Sequence, residues 1–249
     1  MSRIEWRSVR SLMTALPFHA LSLQHLVTLG IIALICFLVA RKAREGKTRK
    51  FHGWLLGFVL LGYAVVFYLQ QGMEHALSWQ YSLPLELCNL VLIACIISLF
   101  RPDQFATEIA YYWGFGGVLQ ATVTPNILVG FPSWDFFLFF WSHGVTLIAI
   151  VFLVARREFR PRRGSIVRMM IVLNVYAVAI GALDAITGWN YGFLCRKPAE
   201  PSLLDVLGPW PWYLLSLEVI AFLTFFLLGL PWQISKYGRS HPTPREQRR

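Results

Sequence analysis

Apolar residues run along this chain in long unbroken stretches, divided by short clusters of Lys, Arg, Gly and Pro. A helix needs about 20 mostly apolar residues to cross roughly 30 Å of hydrocarbon. Seven segments meet that length, at about 22–40, 54–73, 83–100, 106–124, 134–154, 168–187 and 211–231. The pattern predicts an all-α, polytopic membrane bundle of seven transmembrane helices. The first, fifth and seventh segments are the most apolar, and the third, fourth and sixth carry polar residues. Reading the third and fourth as one buried hairpin leaves five full crossings.

Basic residues orient the bundle. The loops after the first, third and fifth segments, with the tail, hold eighteen Lys and Arg, against five on the opposite side (Arg3, Arg7, Arg10, Arg196 and Lys197). Positive charge marks the cytoplasmic side, so the N-terminus is expected outside and the C-terminus in the cytoplasm of a plasma (inner) membrane. In residues 1–21, Arg3, Arg7 and Arg10 alternate with Ile4, Trp6, Val9 and Leu12, which reads as an interfacial amphipathic segment. Residues 41–50 form a stop-transfer cluster after the first span, which is expected to be retained. The domain plan is thus an N-terminal segment 1–21, a membrane domain 22–231 and a basic tail 232–249. No internal repeat is evident.

Composition excludes other classes. Only 14% of residues are charged and 56% are hydrophobic, whereas soluble domains carry roughly 25% charged residues. A net charge of +10 does not indicate nucleic-acid binding, because the basic residues punctuate apolar runs and form no basic face on a polar fold. The expected partner is membrane lipid. No Cys or His spacing suits a metal, no cofactor fingerprint occurs, and the absence of lysine from every span excludes retinal.

Orientation gives each buried polar residue a depth. Glu86, Cys88 and Asn89 fall in the first turns of the third span, and Gln120 and Thr124 at the outer end of the fourth. His143 lies nine residues past Trp134, about 13 Å deep at 1.5 Å per residue. Asp184 closes the sixth span and Glu218 lies about two turns into the seventh. Polar groups inside hydrocarbon are costly and mark functional positions, so these depths predict a polar cavity in the outer half of the bilayer. The plainer account of each residue is helix–helix hydrogen bonding, worth about 0.6 kcal/mol apiece. Cysteine in a span is ordinarily a small hydrophobe. Cys88 stands apart because it has polar neighbours and a histidine at comparable depth. A thiol becomes a nucleophile when a base or positive field favours thiolate.

Residues 188–210 are too apolar for a solvated loop and too rich in Gly and Pro for a helix. They read as an ordered lid over the cavity, with a helical turn from Ser202 to Leu207. Asn190 lies in it, Arg196 and Lys197 sit at headgroup level, and Cys195 is either free or paired.

Several motifs together resemble the YwaF-like bacterial integral membrane proteins over about residues 22–231. They are Leu83-Pro84-Leu85-Glu86-Leu87-Cys88, Tyr112-Trp113-Gly114, Ser142-His143-Gly144 and the stretch from Asn190 through Cys195-Arg196-Lys197-Pro198 to Trp212-Tyr213. That group is distantly similar to a eukaryotic transmembrane family that moves acyl chains between phospholipids. The resemblance implies Cys88 as acyl carrier and His143 as its base. Glu86 and Asn89 stand where the resemblance leads one to expect a histidine and an acid, which leaves open the groups that activate Cys88.

Two functions follow. In the first, a lipid acyltransferase or acyl hydrolase uses Cys88 and His143, with Asn89, Gln120 or Asn190 as oxyanion donors, Arg196 and Lys197 at the headgroup, and Glu86, Thr124, Asp184 and Glu218 lining the substrate cavity. In the second, a non-enzymatic solute- or ion-binding or transport protein uses Glu86, His143, Asp184 and Glu218.

Overall fold

The computed structural model describes residues 17–44, 49–156, 159–198 and 203–240. Over these it is helical, with turns and one isolated bridge between Pro17 and Val129. The helices are α1 (Leu23–Ala43), α2 (Arg49–Met73), α3 (Trp79–Ser82), α4 (Leu87–Phe100), α5 (Gln104–Trp113), α6 (Leu119–Val123), α7 (Trp134–Ala155), α8 (Ser165–Thr187) and α9 (Trp212–Ser240). A π-helical turn, Gly114–Val118, joins α5 to α6, and 3₁₀ turns form at Tyr191–Phe193 and Leu203–Leu207. Ser202 lies outside the described residues, as do 1–16, which hold the expected amphipathic segment, and 241–249.

Five helices (α1, α2, α7, α8 and α9) are long and apolar enough to cross a membrane. The third and fourth expected segments differ from the others. Helix in the third begins only at Leu87, because Pro84 lacks an N–H and biases the residue before it away from helix. The resulting α4 has 14 residues, about 21 Å at 1.5 Å per residue. In the fourth, Asp103 caps α5 by accepting the Ala106 N–H at 2.7 Å, and the helix widens into the π turn at Gly114. A side chain there would put its Cβ 2.2 Å from Ile150 Cδ1, so the close approach of α7 requires glycine. At the chain's other end α9 passes through Pro231 and continues to Ser240, so the tail expected from 232 begins as helix.

The core lies where α4, α5 and the π turn meet α7. It is built from Val91, Cys95 and Leu99 on α4, Tyr112 on α5, and Ile150 and Phe152 on α7. Most of α7 is buried, whereas few residues of α1 or α8 are. α1 and α2 pack on α7, while α8 and α9 pack on each other and on α5. Side chains such as Ile31, Phe37, Val175 and Leu223 are left exposed, the surface a bilayer covers. Phe18 packs with Phe136 and Phe140 in a small second core, and its N–H bonds Leu128 O at 3.0 Å. It belongs to this packed core and not to an interfacial face.

Candidate functional site

The segment leading into α4 is held by its neighbours. Tyr191, buried, donates its hydroxyl hydrogen to Trp79 O at 2.7 Å and accepts the Leu83 N–H at 3.2 Å. Tyr176 on α8 donates to Leu85 O at 2.8 Å. Glu86 occupies the N-cap position of α4 without capping it; its Oε2 accepts the Gly192 N–H at 2.9 Å. Three hydrogen-bonding side chains thus fix where α4 begins and hold the 190–194 turn against it.

Cys88 is the second residue of α4 and half-buried. The amides of Leu87 and Cys88 have no backbone carbonyl partner, since the first bonded amides of the helix, Asn89 and Leu90, both go to Glu86 O. Unpaired amides at a helix start carry partial positive charge and favour an anion. Tyr63 on α2 and Tyr176 on α8 both lie within electrostatic reach of the thiol.

His143 sits on α7 with its ring stacked on Phe139 at 4.1 Å. Its Nδ1 lies 3.1 Å from Phe139 O and 2.9 Å from Ser142 Oγ. A carbonyl only accepts, so the Phe139 bond assigns a proton to Nδ1 and leaves the Nε2 lone pair available. No hydrogen bond joins His143 to Cys88. Tyr63 connects their surroundings, because its hydroxyl faces Ser142 and lies within electrostatic reach of Cys88.

Asp184, near the end of α8, is 1% exposed, and neither carboxylate oxygen has a hydrogen-bond partner among the described residues. Glu86 and Arg196 are within its electrostatic reach. Gly188, at φ +76°, ends α8 by returning its N–H to the Asp184 carbonyl at 2.8 Å, which turns the chain back over this carboxylate. Asn190 then pins the loop. Its Oδ1 accepts the amides of Cys195 and Arg196 at 3.2 and 3.0 Å, and its Nδ2 donates to Arg196 O at 2.9 Å. Tyr213 donates to Phe193 O, and Trp210 Nε1 to Leu194 O at 3.1 Å. Lys197 lies 3.8 Å from Asp205 Oδ1 and over the Tyr213 ring. Cys195 is free, as are the other three cysteines. The loop is therefore ordered and folded onto the helix ends. Around it, burial pushes the Tyr191 hydroxyl above its ordinary range.

The remaining expected site residues lie apart from this group. Glu218 Oε1 accepts from Asn174 Nδ2 at 2.6 Å, across the α8–α9 cleft. Gln120 and Thr124 are exposed at the end of α6, where Thr124 bonds back to Gln120 O. Asn89 makes no side-chain hydrogen bond among the described residues. Two clefts flank α8, and both are lined almost wholly by apolar side chains. One, about 720 Å³, lies against α9, and the other, about 530 Å³, against α4 and α5. The polar residues thus sort into separate pairings. Among the described residues no three His, Cys, Asp or Glu come together as metal ligands.

Sequence depth alone missed two constellations. Glu108 is fully buried and accepts from Gln104, from Arg168, and from three Arg162 donors at 2.8 to 3.1 Å. That carboxylate pushes the Arg162 guanidinium further above its ordinary range. His25, also fully buried, accepts the Leu21 N–H at Nδ1, so its Nε2–H donates to Thr122 O, each at 3.0 Å. Both groups are satisfied and structural. The signal available for the first was charge: Arg162 and Arg168 stand in the loop that follows α7 and the start of α8, the end of the bundle where α5 begins.

A family model described as the TMEM164 family matches residues 19–229, most of the chain, and the chain belongs to that family. No curated protein and no solved structure matches it.

Proposed function

We propose that this TMEM164-family membrane protein is a lipid acyltransferase or acyl hydrolase with Cys88 as nucleophile and His143 as base. The observation that carries the reading is the placement of Cys88 in the first turn of α4, beside two amides without carbonyl partners. The thiolate attacks the ester carbonyl carbon of a phospholipid. The Leu87 and Cys88 amides face the oxyanion, a role that Asn190 and Gln120 do not fill, being held in the loop and exposed on α6 respectively. The C–O bond then breaks and the lysolipid oxygen leaves with the proton that His143 Nε2 took from the thiol. The thioester passes its acyl group to a second hydroxyl, either of a lysolipid or of water, and Cys88 is restored. Glu86 lies within electrostatic reach of the thiol, with Asp184 and Arg196 beyond it on the headgroup side.

The topology that suits this chemistry has seven crossings, with α4 and the α5–π–α6 run as the two short ones. The N-terminus is outside and the C-terminus is in the cytoplasm of the plasma membrane. Its support is the asymmetry of eighteen basic residues against five. The test is to incubate purified protein with phospholipid bearing a labelled acyl chain and look for a hydroxylamine-sensitive adduct. An adduct that persists in Cys88→Ala would sink the mechanism.

Asp184 favours a second reading, a non-enzymatic ion- or solute-binding or transport protein. A buried carboxylate without a partner, beside Glu86, suits a cationic ligand or a transported proton. In that case Asp184→Asn abolishes function and Cys88→Ser leaves it intact. The fourfold set expected for this role is reduced to these two acids, since Glu218 and His143 have partners elsewhere.

A further inference from the structure

We infer that the arginines around Glu108, with the cleft between α8 and α9, form a seat for one acidic phospholipid, its phosphate on the arginines and one acyl chain along the cleft. The site lies at the opposite end of the bundle from Cys88 and is independent of the acyl-enzyme reading. Arg160, Arg162, Arg163 and Arg168 gather here about two acids. Asp103 is engaged in capping α5 and lies within reach of Arg162, and Glu108 is enclosed by Arg162 and Arg168. Four positive charges against two leave an excess of two, and residues 157 and 158, one basic and one acidic, lie outside the described residues and cancel. The cluster differs from an ordinary basic loop in how it is held. Glu108 takes Nε and Nη2 of Arg162 and Nη1 of Arg168, while Gln104 donates to both Glu108 and Arg160 O. The guanidiniums are thereby fixed in direction before any ligand arrives. Among the described residues, Arg162 Nη1 has no partner, nor do the exposed side chains of Arg160 and Arg163. Fixed guanidiniums suit a phosphate, whose oxygens accept from several planar forks at once.

The cleft begins at the same place. Arg168, Ile171, Val175 and Val178 fall at i, i+3, i+7 and i+10 of α8, on one face. The last three line the cleft with Val167 and, from α9, Phe222, and all five of these apolar side chains are exposed. From Val167 to Val178 the wall runs about 16 Å at 1.5 Å per residue, close to the depth of one leaflet, half of roughly 30 Å of hydrocarbon. Asn174, the polar residue of the lining, commits its amide to Met170 O and Glu218, so the wall meets a chain with apolar surface alone. The charge excess selects the headgroup. A lipid with net negative charge matches it, whereas a choline headgroup sets its own cation against the arginines. The cleft against α4 and α5 is as apolar, but its polar lining residue at this end is an acid, Asp103, which repels phosphate.

The test uses the full-length protein in detergent, incubated with dioleoyl phosphatidylglycerol, dioleoyl phosphatidylcholine or inorganic phosphate and read by native mass spectrometry. Phosphatidylglycerol is expected to be retained as a single adduct and phosphatidylcholine more weakly. Arg160→Ala/Arg163→Ala is expected to weaken the phosphatidylglycerol adduct by about fivefold per arginine removed. Arg41→Ala/Arg44→Ala, which removes the same charge at the end of α1, leaves it unchanged. Ile171→Trp fills the cleft beside the arginines from an exposed position and displaces the lipid, and Val178→Trp repeats the block farther along if Ile171→Trp does not fold. Equal losses in the two arginine pairs mean diffuse attraction to basic loops and overturn the site. So does a phosphatidylglycerol adduct that survives both tryptophans, or phosphatidylcholine held equally well. Inorganic phosphate bound as tightly as phosphatidylglycerol assigns the arginines to a soluble anion and removes the lipid.

Discussion

At one end of the bundle Glu108 is buried and meets five donors from Gln104, Arg162 and Arg168. At the other, Asp184 is equally buried and, among the described residues, its oxygens are in hydrogen-bond contact with none, the Tyr191 amide lying nearby. Sequence composition makes the two alike, a lone acid within an apolar stretch. What separates them is the charge of the opposing segment. The loop from α7 to α8 brings arginines into contact with Glu108, whereas Asp184 has a second acid, Glu86, within reach and only Arg196, without contact, as a cation. A satisfied acid builds the fold, while an unsatisfied one stores cost that only a ligand, a proton or a role in chemistry explains.

The largest effect that sharpens this contrast is on activity. Cys88→Ala is expected to abolish the acyl adduct while leaving the thermal transition in detergent where it was, because the side chain makes no hydrogen bond to another residue. A stability loss of the size seen in core cavities would instead place Cys88 with the packing residues.

Next in size is Glu108→Gln. It leaves Arg162 and Arg168 without their carboxylate, and breaking a buried ion pair costs 3–5 kcal/mol. Both arginines are more than a third exposed, which screens the charges they leave behind and brings the expectation to about 2 kcal/mol. Equilibrium unfolding in mixed micelles measures it, and a loss no larger than that of an exposed substitution would mean that the arginines hydrate freely. Tyr191→Phe follows. It leaves Trp79 O and the Leu83 N–H unpaired in a half-buried place, at a cost of roughly 1 kcal/mol. Hydrogen exchange at 79–86 is expected to rise in this variant and to stay unchanged at the Glu108 end.

How much of this was legible follows from what helices encode. Apolar runs and charge asymmetry read out position along the membrane normal, and five of the expected spans return as long apolar helices. Azimuth is not in a hydropathy run. His143 and Cys88 share a depth, yet His143 turns to Phe139 and Ser142 and is joined to the thiol's surroundings only through Tyr63, a residue that looks like ordinary interior packing in sequence. Glu218 was grouped with Glu86 and Asp184 by depth, but α9 carries it to Asn174. The shortening of α4 was foreshadowed by Pro84. The π turn was not, since Gly114-Phe115-Gly116-Gly117 is compatible with a plain helix until Ile150 is packed against it.

The smallest expected effect bears most directly on the comparison, because its sign is opposite to that of Glu108→Gln. Asp184→Asn replaces a buried carboxylate without a close donor among the described residues by a neutral amide, so the desolvation cost falls and the field on Glu86 is relieved by more than the distant Arg196 loses. The protein is expected to gain about 1 kcal/mol of stability, the range typical when a functional residue is neutralised, while losing activity in whichever assay the protein answers to. Unfolding of Asp184→Asn and Glu108→Gln side by side gives the measurement. Shifts in the same direction would mean that Asp184 has a stabilising partner in the folded bilayer state, and the distinction between the two ends would then lie in which cation each recruits. Opposite shifts, with function lost only at the Asp184 end, place the cost of the buried charge and the chemistry of Cys88 at one end of the bundle.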